Sequence, residues 1–193
     1  MAIKYSICMV NYNMADTIYR AVSSVALQLT SEFEIVLVDD GSSDRSLEVM
    51  DSLQTRFPFI RIVPLQRDRN RKLGETRNIS IREARGEYCL LHIDCDDVYE
   101  HHLISWIAVF HQIEKAAGDG ILLAGQHINM ARRSELMKHG PYINIFRGED
   151  RHMWSRFAAM NKLWIFDHVD FATRLPKQQN KNFLDKLFTL LIT

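Results

Sequence analysis

A short apolar run that ends in carboxylates constrains the fold of this chain more than any other stretch. Residues 88–94 read Tyr-Cys-Leu-Leu-His-Ile-Asp, and Asp96 and Asp97 follow directly after one cysteine. An apolar run of this length, with Gly86 before it and charge after it, is typical of a central parallel strand covered on both faces. Open α/β sheets bind ligands at the carboxyl ends of such strands. We therefore expect a buried strand whose end faces a ligand.

The crowded carboxylates Asp94, Asp96 and Asp97 predict a site for a divalent cation. Repulsion between like charges makes such a cluster costly unless a cation neutralises it. A set of ligands made only of oxygen suits Mg²⁺ or Mn²⁺ better than zinc. The competing interpretation is a solvated acidic turn that caps a helix starting near Val98. This stretch alone does not decide between the two.

The overall composition describes an ordinary globular chain without a charge bias. Of its 193 residues, 47% are hydrophobic, and 24 basic residues balance 24 acidic ones. This balance gives no electrostatic argument for a nucleic-acid partner or a membrane surface. The three cysteines have no CxxC spacing and predict reduced core thiols, which favours a cytoplasmic protein. No run approaches the ~20 apolar residues that a membrane helix needs.

Apolar periodicity predicts strands that alternate with helices. The predicted strands cover residues 5–10, 33–38, 59–63, 88–94 and 121–124. The predicted helices begin after Asp16, after Ser43 or Asp44, at Glu75, at Leu103, and at Asp150, which we place at a strand-to-helix junction. This alternation implies an α/β fold with a mainly parallel central sheet flanked by helices. Residues 130–142 are polar and contain Gly140-Pro141, so we expect a mobile loop over the site.

Residues 66–74, Gln-Arg-Asp-Arg-Asn-Arg-Lys-Leu-Gly, form the only dense basic run in the sequence. An isolated run of this kind is usually a solvated loop. This one precedes a short helix that leads into the acidic strand. A basic loop beside an acidic metal site is what a bound diphosphate would need.

The end of the chain differs in character from the rest. We expect one domain over residues 1–175 and a tail over 176–193, which turns apolar at Phe183 and stops at Thr193. The tail predicts either an amphipathic helix packed on the domain or the start of a longer, truncated segment. It is too short to span a bilayer. Any membrane contact, peripheral and at the inner face, would pass through this tail.

Three separated stretches, MVNYNMADTIYRAVSSVALQ, EIVLVDDGSSDRS and GETRNISIREARGEYCLLHIDCDD, together resemble a family 2 glycosyltransferase. Gly148-Glu149-Asp150 extends the resemblance to a fourth motif. The resemblance implies a GT-A fold, a nucleotide-diphosphate-sugar donor (UDP by default), a divalent cation, and inversion at the anomeric carbon. Residues 1–100 would form the nucleotide-binding half and 101–175 the acceptor half. The QxxRW signature of processive members is missing, which argues for transfer of one sugar per encounter.

The resemblance also implies roles for the residues of the nucleoside pocket. The loop after the first strand, with Val10, Tyr12 and Asn13, would wall the pocket. Asp39 would accept a hydrogen bond from the base, while Asp40 would shape the turn and touch the nucleoside.

The remaining implied roles concern the diphosphate, the metal and the reaction. Arg77 would lie near the donor, and Asp94-Cys95-Asp96 would be the DxD motif. Asp96 would be the main metal ligand, with Asp94 near the ribose or a metal-bound water. Asp150 would be the general base, although helix capping is its simpler structural role. The acceptor would be a glycan, a lipid or a small molecule.

Two other functions compete with sugar transfer. In a phosphatase of the haloacid-dehalogenase type, Asp94 would attack phosphate and Asp96 would act as acid and base. A catalytically silent nucleotide-binding module would bind the donor without turnover. A dinucleotide-binding fold is disfavoured, since no GxGxxG follows the first strand.

Overall fold

The secondary structure follows the predicted alternation of strands and helices. The structure, a computed structural model, describes residues 2–166 and 172–176. Its elements are β1 (Tyr5–Asn11), α1 (Ile18–Ala26), β2 (Phe33–Asp39), α2 (Ser46–Arg56), β3 (Ile60–Pro64), α3 (Leu73–Glu83), β4 (Tyr88–Asp94), β5 (Asp97–Tyr99), α4 (Leu103–Ala117), β6 (Leu122–Ala124), β7 (Asn129–Arg132), α5 (Arg133–His139), α6 (Glu149–Ala159), β8 (Leu163–Ile165) and β9 (Ala172–Arg174).

Seven strands form the central sheet, in the order β3-β2-β1-β4-β7-β6-β8. β1 lies between β2 and β4 and is parallel to both, while β3 is parallel to β2 and β8 to β6. Among the described strands of this sheet, β7 alone runs antiparallel to its neighbours. β5 and β9 form a separate antiparallel pair. The predicted mainly parallel sheet flanked by helices is confirmed.

The sheet separates two apolar layers, because successive side chains of a strand point to opposite faces. Ile7, Met9 and Leu37 face the layer that holds α1, α2 and α4, with Trp106 and Phe110 buried there. Cys8, Val10 and Val38 face the layer that holds α3, α5 and α6. β1 and β2 are buried along their whole length. Burial on both faces explains why they read as continuous apolar runs.

The prediction of a mobile loop at residues 130–142 is wrong. β7 and α5 occupy most of this stretch, and Met130, Ala131 and Leu136 are buried. The polar residues that suggested a loop have partners in other elements. Arg132 pairs with Glu87, Glu114 and Asp119. Its charge is therefore part of the packing.

Two predicted helix starts also differ from the structure. No helix begins near Val98, because residues 97–99 form β5 and pair with β9. α1 begins at Ile18 with Thr17 as its N-cap residue, and Asp16 makes no cap. The Thr17 hydroxyl donates to the carbonyl of Cys95, 2.9 Å away. This contact ties the start of α1 to the acidic strand end.

The described residues end before most of the tail. Residues 177–193, on which we predicted a packed amphipathic helix, lie outside them. Within the described part, no helix is long and apolar enough to cross a membrane.

Candidate functional site

The carboxyl ends of three neighbouring strands bring the predicted site residues together. In the sheet register, Asn11 of β1 lies opposite Asp39 of β2, and Val10 lies opposite Asp94 of β4. The loops that follow these strands therefore open at the same edge of the sheet. This is the edge where ligands bind in open α/β folds.

Two adjoining cavities lie at this edge. The first, which we call the nucleotide cavity after the ligand expected from the sequence, has a volume of about 430 Å³. It is lined by Val10, Asn11, Tyr12, Met14, Asp40, Arg67, Leu73, Thr76 and Phe146. The acidic cavity has about 570 Å³ and is lined by Val10, Met14, Leu73, Arg77, His92, Asp94, Asp96, Phe146, Arg147, Gly148, Glu149, Asp150 and Arg174. The two share Val10, Met14, Leu73 and Phe146. One elongated ligand can therefore extend through both.

Asp39 lies behind the wall of the nucleotide cavity and holds the turn that follows β2. Its side chain is fully buried. Oδ1 accepts hydrogen bonds from Asn11 Nδ2 at 2.7 Å and from Ser42 Oγ at 2.5 Å, and Oδ2 accepts one from the Ser42 backbone N–H at 2.9 Å. The sequence predicted that Asp39 contacts the base and that Asp40 shapes the turn and touches the nucleoside. The geometry places Asp39 on the turn.

Asp40 lines the nucleotide cavity and receives two guanidinium groups from the basic run. Arg71 Nε lies 2.5 Å from Asp40 Oδ1, and Arg67 Nη1 lies 3.3 Å from Oδ2. The Arg67 guanidinium also stacks over the Tyr12 ring, 4.6 Å from its centroid. The basic run is thus folded onto this cavity.

Asn13 supports the same loops from outside the cavity. Its backbone has a positive φ of 53°, a conformation that asparagine tolerates better than most residues. Its Oδ1 accepts a hydrogen bond from the Ser43 backbone N–H at 2.8 Å, and its own N–H donates to Ser42 Oγ at 2.9 Å. Asn13 therefore fastens the β1 loop to the β2 turn.

The three carboxylates after β4 form a compact oxygen cluster. Asp94, Asp96 and Asp97 each offer one oxygen, and these oxygens lie within 4.8 Å of one another. Asp96 and Asp97 are buried, and Asp94 is partly open to the cavity. His127 Nδ1 lies 3.4 Å from Asp97 Oδ2. Oxygen ligands at this spacing fit Mg²⁺ or Mn²⁺, so the acidic cluster suits the predicted cation.

Arg174 of β9 reaches into the acidic cluster. Its Nη1 lies 2.7 Å from Asp96 Oδ2, its Nε lies 2.8 Å from Asp97 Oδ1, and its Nη2 lies 3.8 Å from Asp94 Oδ2. Burial lowers the pKa of the guanidinium, but Asp97 and Asp96 outweigh it and raise that pKa above its usual value. Arg174 is therefore a permanent positive charge among the carboxylates.

Arg77 joins the acidic strand end to the start of α6. It is buried, with Nη2 at 3.1 Å from Asp94 Oδ1 and Nε at 3.1 Å from Glu149 Oε1. Burial would raise the pKa of Asp94, but the charge of Arg77 lowers it below its usual value. Burial raises the pKa of Glu149 above its usual value despite the same partner. Arg77 thus keeps Asp94 ionised and fixes its orientation beside the cavity.

Cys95, the middle residue of the DxD motif, points into the core. Its side chain is fully buried, and burial raises the pKa of its thiol well above the usual value. Cys8 and Cys89 are buried free thiols as well. The prediction of reduced core thiols agrees with this placement, and Cys95 can meet a ligand only through its backbone.

Asp150 lies in the first turn of α6 and lines the acidic cavity together with Asp94 and Asp96. The N-cap residue of α6 is Gly148, and Asp150 Oδ1 accepts a hydrogen bond from the Arg151 N–H at 2.8 Å. Its Oδ2 lies 4.0 Å from His92 Nε2. Burial and the charge of Arg77 lower the pKa of His92. A lowered pKa favours the neutral imidazole near pH 7, and Asp150 lies beside it on the wall of the acidic cavity.

His92 reaches Asp150 because β4 is irregular at this point. The register between β1 and β4 shifts between Ile7 and Met9, so β4 carries one extra residue there. His92 has a positive φ of 64°, which is uncommon outside glycine. Bulges of this kind redirect a side chain and are frequent beside active sites.

The segment before α6 is a loop fastened to the start of α3, so the predicted strand-to-helix junction at Asp150 is wrong. The Gly74 N–H donates to the Ile145 carbonyl at 3.1 Å, and Asn144 Oδ1 accepts from the Lys72 N–H at 2.8 Å. The exposed Phe146 ring lies 4.7 Å from Lys72 Nζ. Backbone pairing with α3 replaces pairing in the sheet.

Gly74→Ala is expected to displace this loop and to weaken nucleotide binding. A Cβ at Gly74 would lie 1.9 Å from the Ile143 carbonyl oxygen, so the backbone has to move. Overpacking of this kind typically costs ~1 to 3 kcal/mol of unfolding free energy. Phe146 lines both cavities, so its displacement should also lower nucleotide affinity. Thermal unfolding and calorimetry with UDP and Mn²⁺ measure the two effects.

Gly118→Ala is the matched control, since a Cβ there meets open space while the backbone has a positive φ of 88°. This control should lose stability through backbone strain and keep its nucleotide affinity. Equal affinity in both variants would show that the loop does not shape the cavity.

His92, Glu149 and Arg174 line the acidic cavity but were given no role from the sequence. Arg174 and His92 carried no motif, and Glu149 was noted only as part of Gly148-Glu149-Asp150. A positive φ is uncommon for every residue except glycine, so the identity of residue 92 alone did not predict it. The one available signal was the need for a positive charge near three crowded carboxylates. This need does not identify which residue supplies the charge.

Comparisons with known proteins agree with this architecture. The family model of Glycosyl transferase family 2 matches residues 6–174. An uncharacterized glycosyltransferase of Nostoc sp. is 36% identical over 115 residues, which cover 60% of this chain and 35% of that protein. The chain thus spans about a third of the length of this relative.

Two solved structures show the same fold. TarS 1-349 of Staphylococcus aureus in complex with UDP-GlcNAc superposes with a TM-score of 0.68 at 17% identity, covering 92% of this chain and 60% of that one. The mannosyltransferase PcManGT of Pyrobaculum calidifontis, in complex with GDP-Man and Mn²⁺, gives a TM-score of 0.71 at 14% identity and covers 95% and 60%. The predicted GT-A fold is confirmed, and the chain belongs to glycosyl transferase family 2.

Proposed function

We propose that this chain carries the donor site and the catalytic site of an inverting, metal-dependent glycosyltransferase. The enzyme would move one sugar from a nucleotide-diphosphate donor, a UDP-sugar by preference, to an acceptor hydroxyl. The acceptor would belong to a glycan, a lipid or a small molecule. We keep the prediction of a cytoplasmic enzyme as part of this proposal.

The observation that carries the proposal is the convergence of Asp94, Asp96 and Asp150 on one cavity. Asp150 is distant in sequence from Asp94 and Asp96, yet all three line the acidic cavity. The nucleotide cavity adjoins it and holds the folded basic run around Asp40. A nucleoside at one end and a sugar diphosphate at the other would place the anomeric carbon among these carboxylates.

The proposed reaction is a single displacement. Asp94 and Asp96 would hold Mn²⁺ or Mg²⁺, which when bound offsets the charge that develops on the departing diphosphate. Arg77 orients Asp94 for this task. Asp150 accepts the proton of the acceptor hydroxyl. At the same time the hydroxyl oxygen bonds to the anomeric carbon, and the bond between that carbon and the diphosphate oxygen breaks. Attack opposite the leaving group inverts the anomeric configuration.

A binding screen followed by a turnover assay tests this proposal. UDP, GDP and TDP with Mn²⁺ are compared by thermal shift, since a ligand at 100 times its Kd stabilises the native state by about 2.7 kcal/mol. UDP with Mn²⁺ should give the largest shift, and the matching UDP-sugar should be hydrolysed slowly to UDP. If none of the three nucleotides raises the melting temperature, the proposed donor site is contradicted. If GDP gives a larger thermal shift than UDP, the preferred donor is a GDP-sugar and the proposed reaction stays the same.

The alternatives have distinct outcomes in the same assays. A phosphatase of the haloacid-dehalogenase type would form an aspartyl-phosphate on Asp94, and membership of family 2 argues against it. A silent module would bind UDP and Mn²⁺ without hydrolysis or transfer over a broad acceptor panel.

Within this function, we propose that Asp40 faces the base and that Asp39 supports it. Asp40→Ala should weaken UDP affinity roughly tenfold, because it removes a hydrogen-bond acceptor from the cavity wall. Asp39→Ala should instead destabilise the fold by ~1 to 3 kcal/mol, because it leaves the buried Asn11 amide and the Ser42 N–H without their acceptor. Calorimetry with UDP and thermal unfolding separate the two variants. If Asp39→Ala is stable and loses nucleotide affinity to an extent that depends on the base, then Asp39 contacts the base.

A further inference from the structure

Arg174 has an unusual position for a residue at the mouth of a cation site. Among the ion pairs of the described residues, only those of Arg174 reach all three carboxylates of the acidic cluster, at 2.7 Å, 2.8 Å and 3.8 Å. The nearest oxygen, Asp96 Oδ2, belongs to the residue proposed as the main metal ligand. The guanidinium therefore holds an atom that a divalent cation would need.

Without a bound metal ion, the acidic cluster needs another positive charge. The side chains of Asp96 and Asp97 are only 2% and 1% exposed, and two buried like charges this close are strongly unfavourable without a counter-ion. Arg77 satisfies Asp94 from the opposite side and does not pair with Asp96 or Asp97 among the described ion pairs. Arg174 thus balances the two buried carboxylates.

The backbone of Arg174 is fixed, but its side chain is not enclosed. Asp97 and Arg174 are partners in the β5–β9 ladder, and the Leu175 N–H donates to the Asp96 carbonyl at 2.7 Å. Leu175 is buried, which anchors this strand. The Arg174 side chain itself is 58% exposed. It can leave the carboxylates by rotating toward solvent without any movement of β9.

We propose that Arg174 is a built-in counter-ion of the acidic cluster, which a divalent cation displaces when it binds. The inference rests on the proposed metal site and adds that metal binding is a cation exchange. A divalent cation on Asp96 would lie within a few ångströms of the guanidinium, and repulsion between the two positive charges disfavours both at once. The exchange lowers metal affinity in the absence of donor. A freed guanidinium would remain at the rim of the acidic cavity, which Arg174 lines.

Mn²⁺ titration of the full chain without nucleotide tests the exchange. Wild type and Arg174→Gln are compared by electron paramagnetic resonance of free Mn²⁺. Removal of the competing cation should tighten Mn²⁺ binding about tenfold, within the usual range of coupling between two ligands. Unchanged or weaker Mn²⁺ binding in Arg174→Gln would overturn the inference.

Arg147→Gln is the charge-matched control. Arg147 lines the same cavity, and its removal changes the net charge by the same amount. Among the described ion pairs, none joins Arg147 to the cluster, and its side chain is exposed. Mn²⁺ affinity should therefore change less than about threefold, as expected for a screened charge. An equal gain in both variants would mean that general electrostatics, and not displacement, sets the affinity.

A second measurement uses the wild-type protein and does not depend on the folding of a variant. In a sample labelled with ¹⁵N, the Arg174 Nε–H signal should shift, and its exchange with water should accelerate, when diamagnetic Mg²⁺ saturates the site. A signal that Mg²⁺ leaves unchanged would overturn the inference. If neither Mn²⁺ nor Mg²⁺ binds to any of the proteins, the proposed metal site fails. If Mn²⁺ binds equally to wild type and Arg174→Gln, only the exchange fails.

Discussion

Asp96→Asn is expected to remove most of the metal-dependent nucleotide binding and to leave the fold intact. The substitution keeps the shape of the side chain but deletes the charge of the proposed main ligand. Changes to residues that merely support metal ligands cost 10- to 100-fold in metal affinity, so loss of a ligand should cost about 100-fold or more. Calorimetry with UDP in the presence and absence of Mn²⁺ measures this loss.

The fold should survive because two effects of Asp96→Asn oppose each other. The variant loses its charge pair with Arg174 and also loses repulsion from Asp94 and Asp97. Melting temperatures of the metal-free proteins test this point.

Asp97→Asn is the matched comparison, since Asp97 is equally buried and pairs with the same arginine. Asp97 also lies 3.4 Å from His127 Nδ1, which gives it a partner away from the cavity. We expect the smaller loss of Mn²⁺-dependent affinity from Asp97→Asn. A larger loss there would transfer the main ligand role from Asp96 to Asp97.

The parts of the fold that were predicted correctly at this sheet edge depend on local sequence. The apolar run 88–94 is β4, and its carboxylates lie at the sheet edge, because burial on both faces leaves a direct trace in composition. The parallel order of β1, β2 and β4 follows from strands that alternate with helices. Such features need only neighbouring residues to be recognised.

The roles of Asp39 and Asp40 show where local sequence stops being sufficient. The two residues are adjacent at the end of β2, and successive side chains point in opposite directions. The positions of Ser42 and Asn11 determine which of the two carboxylates accepts the hydrogen bonds that hold the turn. A motif that contains both aspartates cannot supply this information.

The wrong loop prediction and the unpredicted role of Arg174 have a common cause in contacts between distant parts of the chain. Arg132 suggested a loop because its partners, Glu87, Glu114 and Asp119, come from other segments. Arg174 reaches Asp96 only because β9 pairs with β5. A charged residue that is paired within the fold has the same sequence signature as one that is solvated.

Asp150→Asn is expected to abolish transfer while donor and metal affinity remain close to normal. Asparagine has the same size and can still accept the hydrogen bond from the Arg151 N–H, so the first turn of α6 should persist. It cannot take up the proton of the acceptor hydroxyl. Loss of a general base typically lowers the rate ~10² to 10⁴-fold. The rate is measured as sugar transfer, or as hydrolysis of the donor when water is the acceptor. Calorimetry with UDP and Mn²⁺ measures the donor and metal affinities.

The pH dependence of the rate separates proton transfer from a structural effect. In the wild type, the rate should rise with pH on the acidic side, because the base acts only after it has lost its proton. The residual activity of Asp150→Asn should lack this acidic limb. If the residual rate of Asp150→Asn keeps the same acidic limb, the limb reports the titration of another group.

Glu149→Gln provides the contrasting control within the same helical turn. Glu149 is buried and pairs with Arg77, so its neutralisation leaves a buried guanidinium with one carboxylate fewer. Breaking a buried pair in this way typically costs ~3 to 5 kcal/mol of unfolding free energy. Glu149→Gln should therefore melt early but transfer sugar when cold, whereas Asp150→Asn should stay folded and inactive. The reverse pattern would make Asp150 a support for the start of α6, and Glu149 would become the candidate base.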